Sequence, residues 1–255
     1  IEVYKTLTPN QDLEGIGGRI EFNTKKATAL EEPVLKFRYD TQYNEYSKSG
    51  NNPKYSLTYG DKITENFGAI FGYTFQSKDI VSNNNEVGYE PWAVDSNGNK
   101  YLARDWEMRF YDLTREREGM TIDMDFEYSP NTSFFMNYLF NEYVDDEVRH
   151  KDEYRARDVV ESSITSTSAA YQRITADKES KKRIETRQIE TQIIGGETSF
   201  GDLFFKFQVS NSFAEEADDN NIDAKFRSEC RIREGDEICG TYNWANPQFI
   251  NIVLA

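Results

Sequence analysis

The chain has 255 residues, with 45 acidic side chains against 30 basic ones and a net charge of −15. Contact with phosphate needs a basic face, so this balance makes the chain a poor candidate for nucleic-acid binding. The hydrophobic fraction, 37%, is low for a soluble protein with a large core, and no run of 18 apolar residues offers a transmembrane helix; a membrane β-barrel, which needs only alternate apolar residues, stays open.

The N-terminal stretch reads as two short strands around a turn. Ile1 and Val3 alternate with Glu2 and Tyr4, and Ile20 and Phe22 alternate with Arg19, Glu21 and Asn23. Between them lie Pro9, Asn10, Asp12, Gly15, Gly17 and Gly18, with Gly17-Gly18 supplying a tight entry into the second strand. A short linker, TALEEP, follows. Period-2 alternation then returns seven times. The segments are Val34–Ser47, Tyr55–Tyr59, Phe67–Phe75, Glu118–Tyr128, Phe134–Tyr143, Gln188–Phe200 and Leu203–Phe213. In the clearest, Met120, Ile122, Met124, Phe126 and Tyr128 share one face while Thr121, Asp123, Asp125 and Glu127 share the other. Gln188–Phe200 is the weakest, read through Ile189 and Ile193. The connections Asp61–Asn66, Ser129–Ser133 and Ser199–Asp202 are tight. Those at Lys78–Arg115, Asp146–Arg187 and from Ala214 onward are long, and Lys48–Asn52 is a short exception on the long side. Short turns on one side and long loops on the other form the outer-membrane barrel pattern, with strands near the 9–11 residues a tilted crossing takes.

The stretch IEVYKTLTPNQDLEGIGGRIEFNTKKA resembles the end of the plug domain of TonB-dependent outer-membrane receptors. The pattern IEVxK, TPxxDxxGIGG, xIxxxTK is matched by Ile1, Glu2, Val3, Lys5, Thr8, Pro9, Asp12, Gly15, Ile16, Gly17, Gly18, Ile20, Thr24 and Lys25. RFYDLTRERE and the segment from Arg183 to Asn220 are similar to barrel segments of the same receptors. The resemblance implies an all-β fold: a partial transmembrane antiparallel β-barrel, about seven strands of 22, preceded by the C-terminal part of a plug. Residues 1–29 would close the plug, with Pro9, Asp12, Gly15, Gly17 and Gly18 forming the plug-to-barrel turn, and residues 30–255 would supply the first barrel strands and long extracellular loops. It also implies active uptake of a scarce solute, a ferric siderophore or an oligosaccharide, across the outer membrane of a Gram-negative bacterium. The implied partners are outer-membrane lipid, the solute, and the TonB–ExbB–ExbD energy-coupling complex acting through a region N-terminal to this sequence. Opening on Ile1 and ending on the strand-like FINIVLA, the sequence reads as a piece of a longer protein. A passive porin and a soluble β-rich carbohydrate-binding protein are the alternative readings.

No enzyme is expected. The single histidine, His150, sits in the charged run DDEVRHKDEYRARD, and no nucleophile–base pairing or phosphate-binding glycine loop is recognisable. For binding, the long loop Lys78–Arg115 offers Tyr89, Trp92, Arg104, Trp106 and Arg109, aromatics and arginines that suit stacking on a ring and pairing with a carboxylate. The same aromatics equally suit packing of the loop on itself or an interfacial girdle. Glu215, Glu216, Asp218, Asp219 and Asp223 form an acidic run, either a solvated loop or a weak oxygen site for Ca²⁺; no other metal or cofactor is expected. Cys230 and Cys239 enclose eight residues, a spacing that suits a disulfide closing a surface loop in an oxidising compartment.

Overall fold

The computed structural model describes residues 2–6, 18–21, 24–88, 92–103, 105–232, 235, 237–245 and 250–252. The expected turn residues Pro9, Asp12, Gly15 and Gly17, and the candidate ligand residues Tyr89 and Arg104, lie outside the described residues. The fold is all-β. Its strands are β1 (Glu2–Tyr4), β2 (Arg19–Glu21), β3 (Val34–Thr41), β4 (Pro53–Asp61), β5 (Phe67–Val87), β6 (Trp92–Val94), β7 (Lys100–Leu102), β8 (Asp105–Ser129), β9 (Thr132–Val159), β10 (Ser168–Phe200), β11 (Leu203–Arg231), β12 (Gly240–Asn243) and β13 (Ile250–Ile252). Two single-turn 3₁₀ segments, Ala27–Ala29 and Glu161–Ser163, are the only helical pieces among the described residues. One antiparallel sheet carries β3, β4, β5, β8, β9 and β10 in that spatial order, with β11 and β12 sharing the far side of β10 and β13 beyond β12. β1–β2 and β6–β7 are separate two-stranded ribbons.

All seven expected strands are present and pair as neighbours in the expected order, but five run much further. β5 has 21 residues, β8 25, β9 28, β10 33 and β11 29. The stretches expected as the long loops Lys78–Arg115, Asp146–Arg187 and the beginning of the Ala214 loop are therefore largely strand. Val87 still pairs with Trp106, and Lys178 with Asp152. Beyond the apolar half, strand alternation continues in charged and small residues, which carry no hydropathy signal.

Register brings the apolar residues of one face into continuous rows. One row runs Phe67–Phe126–Phe134–Gly196–Phe207, the next Ala69–Met124–Met136–Ile194–Val209, and a third Phe37–Leu57–Tyr73–Met120–Phe140–Glu190–Phe213. Much of this face is exposed, with Phe37 at 69%, Val209 at 73% and Leu203 at 75%. β10 joins the rows through Ile194, not through Ile189 and Ile193, which lie on the opposite face in register with Asn141 and Asn137. Along β11 this belt extends from Leu203 to Phe213, about 33 Å at about 3.3 Å per residue.

The other face is polar and receives the segment that follows the N-terminal ribbon. Ala27 is fully buried, and its N–H donates to Asp125 Oδ2 at 2.6 Å. Lys26 Nζ meets Glu197 at 2.7 Å, and Leu30 is buried over Gly60. Gly68 makes this approach possible, since a Cβ there would stand 2.6 Å from the Ala27 carbonyl carbon. Gly18, at φ +114°, is a second obligate glycine: a Cβ there would lie 2.5 Å from the Tyr4 carbonyl oxygen.

A hydrophobic core forms at the end of the sheet remote from the short turns. Leu102, Trp106, Ala156, Tyr171, Ile174 and Tyr242 pack there with the Cys230–Cys239 disulfide. The Tyr171 hydroxyl donates to the Leu102 carbonyl at 2.6 Å, tying the β6–β7 ribbon to β10. The disulfide, expected from spacing, closes a loop inserted within a strand line. β11 leaves β10 at Arg231 opposite Arg173, and β12 resumes the same direction at Gly240 opposite Tyr171.

Candidate solute site on the polar face

Beyond the belt, alternation sends the odd-numbered residues of β8, β9 and β10 to the polar face. There charges of opposite sign meet both across strands and two residues apart along them. Arg115 pairs with Asp145 at 3.3 Å, Arg183 with Glu185 at 2.9 Å, and Arg149 with Glu179 at 2.8 Å. Lys151 meets both Glu153 (3.1 Å) and Glu179 (3.4 Å). The densest knot is Asp177, whose side chain is 1% exposed and is held by Arg227 at 2.6 Å, Lys225 at 3.2 Å and Arg155 at 3.3 Å. Hydrogen bonds from Arg227 foremost, and then from Lys225, hold the Asp177 carboxyl far below the usual range against the opposing effect of burial. Burial raises the Glu179 carboxyl, but Lys151 and Arg149 outweigh it and the net shift is downward.

Near the level where belt gives way to lattice, the polar face carries a hollow of about 700 Å³. One register row crosses it, Lys54–Gln76–Arg117–Tyr143–Arg187. The Arg117 guanidinium lies over the Tyr143 ring, 5.1 Å from its centroid. Among the described residues, every other arginine of β8, β9 and β10 has an acidic partner and Arg117 has none; Lys54 stands opposite Asp40 in the ladder but makes no ion pair within 4 Å. Arg187 is already engaged by Glu185 at 2.6 Å and Glu216 at 3.2 Å. Asn141 and Ile189 also line it, as do Thr74, Phe75 and the mutually opposed Glu118 and Glu142, whose side chains alternation sends to the other face. The hollow thus combines free positive charge, amide groups and an apolar patch.

No protein-family model matches the chain, and no curated protein matches it.

The structure separates the aromatics and arginines expected to act together. Trp106 is 3% exposed, packed between Tyr154 (5.8 Å between ring centroids) and Tyr242 (5.6 Å) in the remote core, so it presents no surface to a solute. Arg109 lies on the opposite face of the same strand, bridging Glu107 and Glu86. Trp92 remains exposed on β6, edge-on to Trp244 at 5.6 Å. The acidic run is strand too. Glu216, Asp218 and Asp223 oppose Arg187, Glu185 and Lys181 on the polar face, while Glu215 and Asp219 oppose Gln188 and Ile184 on the other. A bulge at Asn220, φ +54°, interrupts it. These carboxylates lie on a strand and are split between its two faces, and no metal-holding group of three occurs among the described residues. His150 stacks on Phe110 at 6.4 Å within β9 rather than lying in a loop. Sequence reasoning passed over Arg117 because its neighbours are charged on every side. Only the register shows that, of the described arginines on these three strands, it is the one left over.

Proposed function

We propose that this chain supplies the end of the plug and the first barrel strands of a TonB-dependent outer-membrane transporter that takes up a scarce solute. The observation that carries the reading is the segregation of faces across seven strands, with residues Thr24–Leu30 packed against the polar face near the short-turn end. A belt about 33 Å long on the strand, tilted by about 40°, rises about 25 Å, the height of the lipid-facing band of an outer-membrane barrel. Each Phe or Leu in it contributes on the order of 1.5–3 kcal/mol when removed from water. Solvation of the belt by lipid and closure of the sheet by further strands would satisfy both its exposed face and its unpaired edges. A segment docked on the polar face favours a plugged transporter over an open porin. Coupling to TonB–ExbB–ExbD would run through a region N-terminal to Ile1.

The test is fractionation of the producing cells, followed by solute uptake with and without an uncoupler of the inner-membrane proton gradient. The protein should extract from the outer membrane only with detergent, and uptake should cease on uncoupling. Uptake that ignores the uncoupler identifies a passive porin, and release without detergent identifies a soluble β-protein.

A further inference from the structure

The hollow around Arg117 holds the one arginine of β8, β9 and β10 that, among the described residues, lacks an acidic partner. In a chain of net charge −15, with the other eight arginines of β8–β10 paired, that surplus stands apart. We infer that the hollow binds the carboxylate of an anionic solute. The inference rests on the reading above that the polar face lines a solute passage, and it names the class of solute.

Arg117 and Lys54 occupy one register row on strands two spacings apart, roughly 10 Å at the backbone. Gln76 lies between them. The Arg117 guanidinium carbon lies 5.1 Å from the Tyr143 ring centroid, and a guanidinium held against a ring can still meet a carboxylate bidentately through its N–H edge. The acids nearest in the ladder are committed elsewhere. Asp145 is bound by Arg115, Glu185 by Arg183 and Arg187, and Glu216 by Arg187. Glu118 and Glu142, which also line the hollow, are opposed in the ladder and belong by alternation to the opposite face. Among the described residues no carboxylate therefore lies within salt-bridge distance of the Arg117 guanidinium. The amides of Gln76 and Asn141 present donors and acceptors suited to hydroxyl groups. Carboxylate and hydroxyls together occur in acidic oligosaccharides and in small hydroxylated polycarboxylates.

The experiment is calorimetric titration of the detergent-extracted protein with tri-galacturonate, citrate and neutral tri-galactose. At least one carboxylate should bind, with the neutral sugar at least tenfold weaker. Arg117→Gln should weaken that binding at least tenfold while thermal unfolding stays unchanged, and Arg117→Lys should retain part of the affinity. Binding of tri-galacturonate alone assigns an acidic sugar, and binding of citrate assigns a small polycarboxylate. Failure of both to bind, equal binding of the neutral sugar, or an Arg117→Gln variant that binds like the parent overturns the inference. Fractionation and uncoupling judge the transport reading separately, so an outer-membrane, gradient-driven protein indifferent to carboxylates sinks this inference alone.

Discussion

Asp177 shows how one residue gathers a region. Its carboxylate is enclosed by Arg227, Lys225 and Arg155, drawn from strands on both sides of β10. With its folded pKa lowered, it binds a proton less readily in the folded state than in the unfolded one. Its stabilisation is therefore complete above the ordinary carboxylate value, about 4, and is lost as the pH falls below it toward the depressed folded value. Thermal unfolding followed from pH 6 to pH 3 should show the parent losing stability steeply below about pH 4, and Asp177→Asn, already less stable at pH 6, losing much less. Parallel acid limbs in the two proteins would contradict this. The sequence offers Asp177 only as one more acid in a charged run; its three partners lie 22, 48 and 50 positions away, as β-pairing brings them in.

Whole strands were legible where apolar and polar residues alternate and illegible where they do not. Met120 to Tyr128 declares its face because three carboxylates would otherwise sit among apolar neighbours. The same strand from Asp105 to Arg117 alternates acids, bases and aromatics on both faces and reads as loop, although its ladder of partners on β9 continues almost unbroken. The belt gives a sharp test at this scale. Val209 and Ser210 are adjacent on β11 but face opposite ways. On refolding into lipid vesicles, Val209→Arg should cost about 2–4 kcal/mol, the value for a basic residue at the bilayer midplane, and Ser210→Arg much less; the folded fraction can be read from heat-modifiable gel mobility. Equal effects would remove the distinction between the faces. Docking of Thr24–Leu30 gives another. Gly68→Ala places a methyl group against the backbone of Ala27, which cannot yield as a side-chain tip can. The segment should lift from the sheet and trypsin should cut after Lys25 and Lys26 several-fold faster than in the parent; an unchanged rate would mean that the approach is not tight.

Across the whole molecule the acidic excess is not spread evenly. Above the belt, the face that carries it also shows Asp112, Glu116, Glu118, Glu142, Asp146, Asp152, Glu215 and Asp219, against Lys178 and Lys182 on β10. The polar face, by contrast, pairs nearly every charge. Net charge read from composition argues against anionic partners, but placement confines that argument to one side of the sheet. On the other side, opposite charges 2.5–3.9 Å apart cancel well within a Debye length of about 8 Å, so an anion beside the lattice meets little field until it reaches Arg117. The all-β class, the order of the seven strands and the disulfide were thus visible in the sequence, while the charge lattice and the remote core were not, because both depend on register between residues far apart in the chain.

The pinched loop between Cys230 and Cys239 has a consequence for how this scaffold can vary. Between Arg173 and Tyr171, β10 moves by two residues, while the strand beside it moves from Arg231 to Gly240. The sheet therefore does not read the length of what lies between the cysteines. Their Cα atoms stay 5.6 Å apart whatever peptide they enclose, and the pairing on either side keeps its frame. Foreign sequence grafted there would be displayed at the end remote from the short turns without shifting a single row of the belt, making this loop a natural place for length and composition to diverge or for a tag to be carried.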